Sequence, residues 1–388
     1  MKRFRTIFYL LLLILFFAGL YTGLRIFFIL SLSAFLLILT VFLLNVYTFY
    51  TFKFSQTISQ EICETGDVPD LHLSLFNENF FPLSILVIHI QLVSLANPVD
   101  LTFSLPPFSS KSFKIPIDLP TCGTYRIGMS TMRIFDVFDL VPIRFDMHSL
   151  PYYRLKQLVV LPRAYPIDAI PGEAADAKSF TQARQQLAVH GDSYADTRSY
   201  RPGDPIKRMH WKKSAQHQTL YVRQYDLPEM EAITLIIDTS VLPDTSQGFR
   251  LHVHTLCECA ATIALRALQR RKAVRLLFSD SEDELLCNRV NELDVIRTAL
   301  ATKPFADQPE HFLPFIRSQI PQITFDQEIY LLTGQTSTEL MSGIEDYARG
   351  LNNLLLIQID GHPSNGLFRT ICVPKGGDVA ASLTAGTT

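Results

Sequence analysis

The sequence predicts a multidomain chain: two N-terminal transmembrane helices, an antiparallel β-sandwich, and an α/β domain built on a parallel sheet. Three observations carry this. Apolar residues make up 48% of the 388 positions against 19% charged, and the excess sits in the first fifty residues, where Phe and Leu dominate. From Phe52 to about Met147 short apolar runs alternate with polar residues and are punctuated by Asn, Pro and Gly. After Met230 continuous apolar runs of strand length alternate with helical stretches, the pattern of strands buried on both faces. The boundaries follow: a hairpin at 1–51, a sandwich at 52–150, a connecting region at 151–230, an α/β domain at 231–375 and a disordered tail at 376–388.

Lys2, Arg3 and Arg5 precede an apolar run from Thr6 to Leu24, and Arg25 separates it from a second run, Ile26 to about Tyr50. Each is close to or beyond the ~20 residues that cross a bilayer. A hairpin turning near Tyr21–Arg25 accommodates both. Tyr47, Tyr50 and Phe52 would form an interfacial belt at its exit, with Lys53 beyond. A cleaved signal peptide fits less well, because the apolar region is too long and lacks a small-x-small site. Three basic residues before the first helix and Lys53 after the second, against Arg25 alone in the turn, place the termini and the soluble domains in the cytoplasm, as a multi-pass cell-membrane protein. Six scattered cysteines without a CxxC pair agree with a reducing compartment.

In the second region Leu71–Phe76, Leu83–Val93, Leu101–Leu105, Ser112–Ile117 and Thr124–Ile127 read as short strands of an antiparallel sandwich. Leu158–Pro162 reads as a further strand, and Ile170–Gly191, rich in Ala, Gln and Gly, as a loop or short helix. In the α/β region Ala232–Ile237, Ala273–Phe278, Glu328–Leu332, Leu354–Ile359 and Arg369–Val373 are the strands. Leu251–Lys272, Asn291–Ala301, Pro309–Gln319 and Thr338–Arg349 are the helices.

The stretch Tyr194–Met230 holds Trp211, the only tryptophan. Between Arg198 and Arg223 it carries seven Lys or Arg against one acid, Asp204, in a chain whose net charge is only −2. Arg201-Pro202-Gly203-Asp204 is a turn sequence, and Thr219–Gln224 alternates as a strand. Asp196, Arg198, Tyr200, Pro202, Gly203, Asp204, Arg208, Trp211, Lys212, Ala215, Val222 and Arg223 stand in an order and spacing that resembles the signature of the bacterial family called domain of unknown function fifty-eight. Gly123–Gly128 followed by Asp136–Leu140 resembles a second segment of that family. The α/β region is similar to a von Willebrand factor type A domain, the usual C-terminal neighbour of the signature.

The resemblance implies partners more than chemistry. Such proteins are often encoded beside a MoxR-type AAA+ ATPase, and sometimes a transglutaminase-like membrane protein. The expected role is therefore a non-enzymatic adaptor or scaffold acting with the ATPase on an envelope or membrane client. The signature, with Lys213 added to Asp196, Arg198, Tyr200, Pro202, Gly203, Asp204, Arg208, Trp211, Lys212 and Arg223, is the expected partner-binding surface. Trp211 is expected to anchor it in a domain junction. A hydrolase acting on envelope precursors is the rival; a divalent-metal-dependent ligand-binding module is a third reading. Nucleic acid is a poor target for a basic segment tethered to a membrane.

Type A domains bind magnesium at an Asp-x-Ser-x-Ser sequence after their first strand. Here Asp238 and Ser240 match, but Leu242 replaces the second serine and Thr333-Gly334 offers no carboxylate at the later strand end. A degenerate site is expected, and no cofactor; Asp244, Thr245 and Ser246 could complete a magnesium site only if the loop folds back. His252 and His254, and Cys257 and Cys259, are two apart on a helix and cannot share one ligand. No nucleophile–base constellation and no P-loop is present.

Overall fold

A computed structural model describes residues 2–92, 99–135, 140–171, 196–199, 209–217, 219–224, 232–240, 246–281, 283–305, 312–319, 328–335, 338–348, 354–361 and 369–385. The chain divides into two compact units, Met1–Leu161 and Pro162–Thr388.

The first unit begins with α1 (Lys2–Thr22) and α2 (Arg25–Thr51). Both are long and apolar enough to cross a membrane, and most of their large side chains face outward. Gly23 closes the turn between them at φ +65°, a conformation that an L side chain resists, and its N–H returns to the Gly19 carbonyl at 3.0 Å. At the other end of the pair, the Tyr9 hydroxyl donates to the Leu140 carbonyl at 2.7 Å. The Asn45 side-chain amide donates to the Val141 carbonyl at 3.1 Å.

Strands β1 (Lys53–Ile58), β3 (Asp70–Asn77) and β6 (Ser109–Pro116) form an antiparallel sheet with β3 in the middle. A second sheet runs β2 (Ile62–Glu64), β9 (Lys156–Leu161), β7 (Gly123–Phe135), β4 (Leu83–Leu92), β5 (Val99–Leu105), with β8 (Ile143–Asp146) also on β7. Both sheets feed one core. Leu71, Leu73 and Leu75 of β3 are fully buried in it with Ile88 and Ile90 of β4, Ile127, Met129 and Met132 of β7, and Leu158 of β9. Every second residue of β3 turns inward, as a period of two requires.

Two expectations change here. The second sheet is mixed rather than wholly antiparallel, because β2 lies parallel to β9, which seats the buried Cys63 beside it. And Lys156–Leu161, expected in a connecting region, pairs with β7 and completes the first unit.

The second unit holds a six-stranded sheet in the order β14 (Glu284–Cys287), β13 (Ala273–Phe278), β12 (Ala232–Ile237), β15 (Glu328–Thr333), β16 (Leu354–Ile359), β17 (Arg369–Val373). All neighbours are parallel except β14 on β13. Helices cover both faces. Ile236, Leu331 and Leu356 pack under α6 (Phe312–Gln319) and α7 (Thr338–Ala348). Adjacent strand residues point the opposite way, towards α4 (Ser246–Gln269), which crosses β12, β13, β15 and β16. Ala260, Ala261, Ala264 and Ala267 let α4 lie close. Beside α4 runs α5 (Leu293–Thr302).

Pro162–Ile170 straps this helical layer. The Arg297 Nε and Arg266 Nη1 atoms donate to the carbonyls of Pro162 and Ile167 at 2.8 and 2.9 Å, and the Tyr165 N–H donates to Thr262 Oγ1 at 3.2 Å. The described part of the tail expected to be disordered, 376–385, folds instead. Val379–Ala385 forms α8 against β17 and α4, because Val379 and Leu383, one turn apart, share a face and bury it. Asp378 caps its start by accepting from the Ala381 N–H at 3.1 Å.

The signature contributes a two-stranded pair, β10 (Asp196–Ser199) with β11 (Tyr221–Gln224), and a short helix, α3 (Trp211–His217).

Candidate functional site

The carboxyl ends of the three central strands β12, β13 and β15 converge on one buried polar cluster. β12 ends and Asp238 follows, with its N–H on the Leu332 carbonyl at 2.9 Å. Its carboxylate is 0% exposed. Oδ1 accepts the Ser240 N–H at 2.9 Å and the Ser240 hydroxyl; Oδ2 accepts the Thr333 hydroxyl at 2.6 Å and the Gln335 amide at 3.0 Å. The same Gln335 amide also reaches the Ser240 hydroxyl, and the Gln335 N–H returns to Thr333 Oγ1 at 3.0 Å. A second ring of contacts holds these in place. The Thr239 N–H donates to the Ser279 hydroxyl at 3.0 Å, and Gln358 Nε2 donates to the Gln335 carbonyl at 2.8 Å. Over the cluster, Gly334 faces the His252 ring so closely that an added Cβ would lie 1.7 Å from Nε2.

Burial pushes the Asp238 carboxyl above its ordinary value, and the hydrogen bonds from Ser240, Thr333 and Gln335 oppose that rise. A magnesium ion does not fit this donor set. Among the described residues only one carboxylate is present, and four hydrogen-bond donors engage its two oxygens. The arrangement ties three strand ends together.

A second buried carboxylate lies on α4. Glu258 accepts from the Tyr165 hydroxyl at 3.4 Å, and His254 Nε2 lies 3.6 Å from the same oxygen. Burial raises the Glu258 carboxyl to about 7, against hydrogen bonds from Tyr165 and the Arg163 N–H. The Tyr165 phenol is pushed up as well, by burial first and then by Glu258.

In the signature, His210 organises α3. Its N–H donates to the Tyr221 carbonyl at 2.8 Å, and its Nδ1 accepts the Lys213 N–H at 3.1 Å, capping the helix start. Ser214, buried, accepts the Tyr221 N–H at 2.9 Å. The Lys213 ammonium stands over the Tyr221 ring at 5.2 Å, a cation–π contact. Together these lock α3 onto β11. Trp211 is not buried: it is 62% exposed, and Lys212 beside it is exposed too. The anchoring role expected for Trp211 is therefore corrected. On a seven-residue helix, the residues that face the strand are Ser214 and Lys213, and Trp211 lies off that face.

Asp196, Arg198 and Arg223 lie in the β10–β11 pair, where Asp196 stands opposite Gln224 and Arg198 opposite Val222. Tyr200, Pro202, Gly203, Asp204 and Arg208 lie outside the described residues, as do Leu242 and most of Ile170–Gly191. Asp238 and Ser240 do come together. Gln335, Gln358 and His252 complete their cluster, and sequence reasoning missed all three. For Gln335 the available signal was a polar residue just past an apolar strand; Gln358 lies within β16 and His252 on α4, where no local signal marks them.

No curated protein matches this chain. Among solved structures, a β-glucosidase from Erythrobacter marinus aligns at 8% identity over 28% of this chain and 15% of its own, with a TM-score of 0.17, an overlap that carries no argument. The chain thus spans about a seventh of that protein's length. Residues 196–312, from β10 to the first residue of α6 and so including both Trp211 and Asp238, match the family described as "Protein of unknown function DUF58".

Proposed function

We propose that this chain is a membrane-anchored docking protein, a scaffold that offers the signature surface to a partner beside the membrane. The two apolar helices support the anchor, and Lys2, Arg3, Arg5 and Lys53 around them favour a cytoplasmic location for the rest of the chain. A multi-pass topology with both termini inside follows from the hairpin. The first unit reads as a β-sandwich, supported by two sheets on one core. The second reads as a von Willebrand type A-like domain. The strand order supports this, with its reversal between β12 and β15 and Asp238 at that crevice. Asp238 serves as an acceptor joining strand ends, which favours a scaffold over a hydrolase or a metal-dependent binding module.

The carrying observation is the exposed pair Trp211 and Lys212 on a helix held rigid by His210, Ser214 and Tyr221. A large aromatic displayed on a fixed platform is the kind of residue that dominates binding energy at interfaces. The family resemblance points to a MoxR-type AAA+ ATPase as the partner, with a transglutaminase-like membrane protein as a further member of the assembly.

The test is capture of that ATPase by the tagged full-length chain from its native membrane, with Trp211→Ala and Lys212→Glu as variants. Loss of an aromatic hot spot costs about 2 kcal/mol or more, roughly thirtyfold in affinity. Both residues are exposed, so the folding stability of each variant should stay within about 0.5 kcal/mol of the parent. Capture at the parent level by both variants refutes the docking assignment.

A further inference from the structure

The two turns at the end of the first sheet that α2 joins carry three exposed phenylalanines. α2 ends at Thr51 and β1 begins at Lys53. Lys53 pairs with Phe76 on β3, and Phe76 pairs with Ser110 on β6. The chain beyond Asn77, and the chain before Ser109, therefore both turn at the level where the helix enters. Those two turns carry Phe80 and Phe81, and Phe108. Phe80 is 76% exposed and Phe108 70%; Phe81 is exposed to a lesser degree.

Polar contacts fix the backbone of both turns. Asn77 is buried, and its side-chain amide donates to the carbonyls of Phe81 and Pro106 at 3.0 and 2.9 Å, so one residue clamps both turns. Its Oδ1 accepts the Asn79 N–H at 3.1 Å. The Phe108 N–H donates to the Asn79 carbonyl at 3.3 Å, joining the turns to each other. Asn79 then donates to the Thr51 hydroxyl at 2.5 Å, joining them to the last turn of α2. Phe108 itself sits at φ 49°, a region costly for a bulky residue. A glycine or asparagine would suit that backbone better; a phenylalanine held there with its ring in solvent requires another reason.

The length of α2 supplies it. Its 27 residues extend about 40 Å at 1.5 Å per residue, against a hydrocarbon core of about 30 Å. In the membrane-anchored reading, with Arg25 at one boundary, the last two turns, including the exposed Tyr47 and Tyr50, would lie in the interfacial layer. Thr51, and with it the two turns, would sit at the edge of that layer.

We propose that Phe80, Phe81 and Phe108 form an aromatic foot that enters the interfacial region of the bilayer beside α2, fixing the orientation of the first unit against the membrane. The occupant of this apolar patch is lipid, continuous with the lipid around the helices. The proposal rests on the membrane-anchored reading, and its test separates the two.

Single tryptophans are placed in a Trp211→Phe background of the full chain by Phe108→Trp, Phe80→Trp, Phe16→Trp within α1, and His72→Trp on β3. His72 lies five residues from Asn77, ~17 Å further from the membrane end of the sheet. Each protein is reconstituted in phosphatidylcholine–phosphatidylglycerol vesicles, with or without acyl chains brominated near the carbonyl or near mid-chain. The expected result is blue-shifted emission at positions 80 and 108, with greater loss of intensity for shallow bromines. Position 16 should lose more with deep bromines, and position 72 should be unaffected. Quenching at 16 with 80 and 108 behaving like 72 overturns the aromatic foot and leaves the anchor standing. Absence of quenching at 16 overturns the anchor and the foot with it.

Discussion

Glu258 makes the stability of the second unit depend on pH, and Glu258→Gln should remove that dependence. The carboxyl sits at about 7 in the folded chain, from an ordinary value of 4.5, because burial on α4 disfavours its charge. Its folded-state value is raised, so the unfolded chain ionises first as pH rises. Folding is favoured fully below about 4.5, loses stability progressively from there to about 7, and levels off above. Over that window the loss is ~3 kcal/mol. For a unit of this size each kcal/mol moves the midpoint by about 2–4 °C, so the melting temperature should fall by roughly 6–12 °C between pH 4.5 and 8 from this group.

Glutamine keeps the shape and keeps an acceptor for the Tyr165 hydroxyl and the Arg163 N–H, but it never ionises. Thermal unfolding of the detergent-solubilised chain and its variant across this range gives the assay. Titrating groups that do not touch Glu258 move both proteins alike, so the difference between the curves reports Glu258 together with its neighbour His254. The variant should be the more stable protein above pH 7, with the gap closing towards pH 4.5. Parallel curves would refute a buried, raised carboxyl at this position.

Gly334→Ala should destabilise by about 1–3 kcal/mol, since its Cβ would fall 1.7 Å from His252 Nε2 and must displace the ring. Adding His252→Ala should recover most of that loss, and an unchanged melting temperature for the single variant would contradict the close approach. Asp238→Ala strands the Thr333 hydroxyl, the Gln335 amide and the Ser240 N–H without their acceptor. It should cost ~3 kcal/mol or more in chemical denaturation. Isothermal titration of the parent chain with magnesium or manganese should show no saturable micromolar site. Such a site, abolished by Asp238→Ala, would overturn the reading of Asp238 as a strand-joining acceptor.

The periodic features of this chain were legible because they are local. Two apolar runs split by Thr22–Arg25 became α1 and α2. The continuous runs at Ala232–Ile237, Ala273–Phe278 and Leu354–Ile359 became β12, β13 and β16 with those bounds. Hydrophobic period and length suffice there, since each element is specified by residues that follow one another. The α8 helix shows the limit even of local reading. Small residues hide its two apolar positions, Val379 and Leu383, and its burial depends on β17 and α4 being already in place.

Only the tertiary structure decided which polar groups meet. Gln335 and Thr333 reach Asp238 from 97 and 95 residues away, because β15 lies parallel to β12 and brings their carboxyl ends level. Trp211 looked like a core anchor by residue type. Its exposure followed from the face of α3 that Ser214 and Lys213 commit to β11. The three phenylalanines beside α2 were ordinary loop residues until the register of β1, β3 and β6 set both turns against Thr51. Sequence period determines which residues are apolar together along one element. Which side chains from distant elements come within hydrogen-bond reach is set by strand order and register, and those are properties of the whole fold.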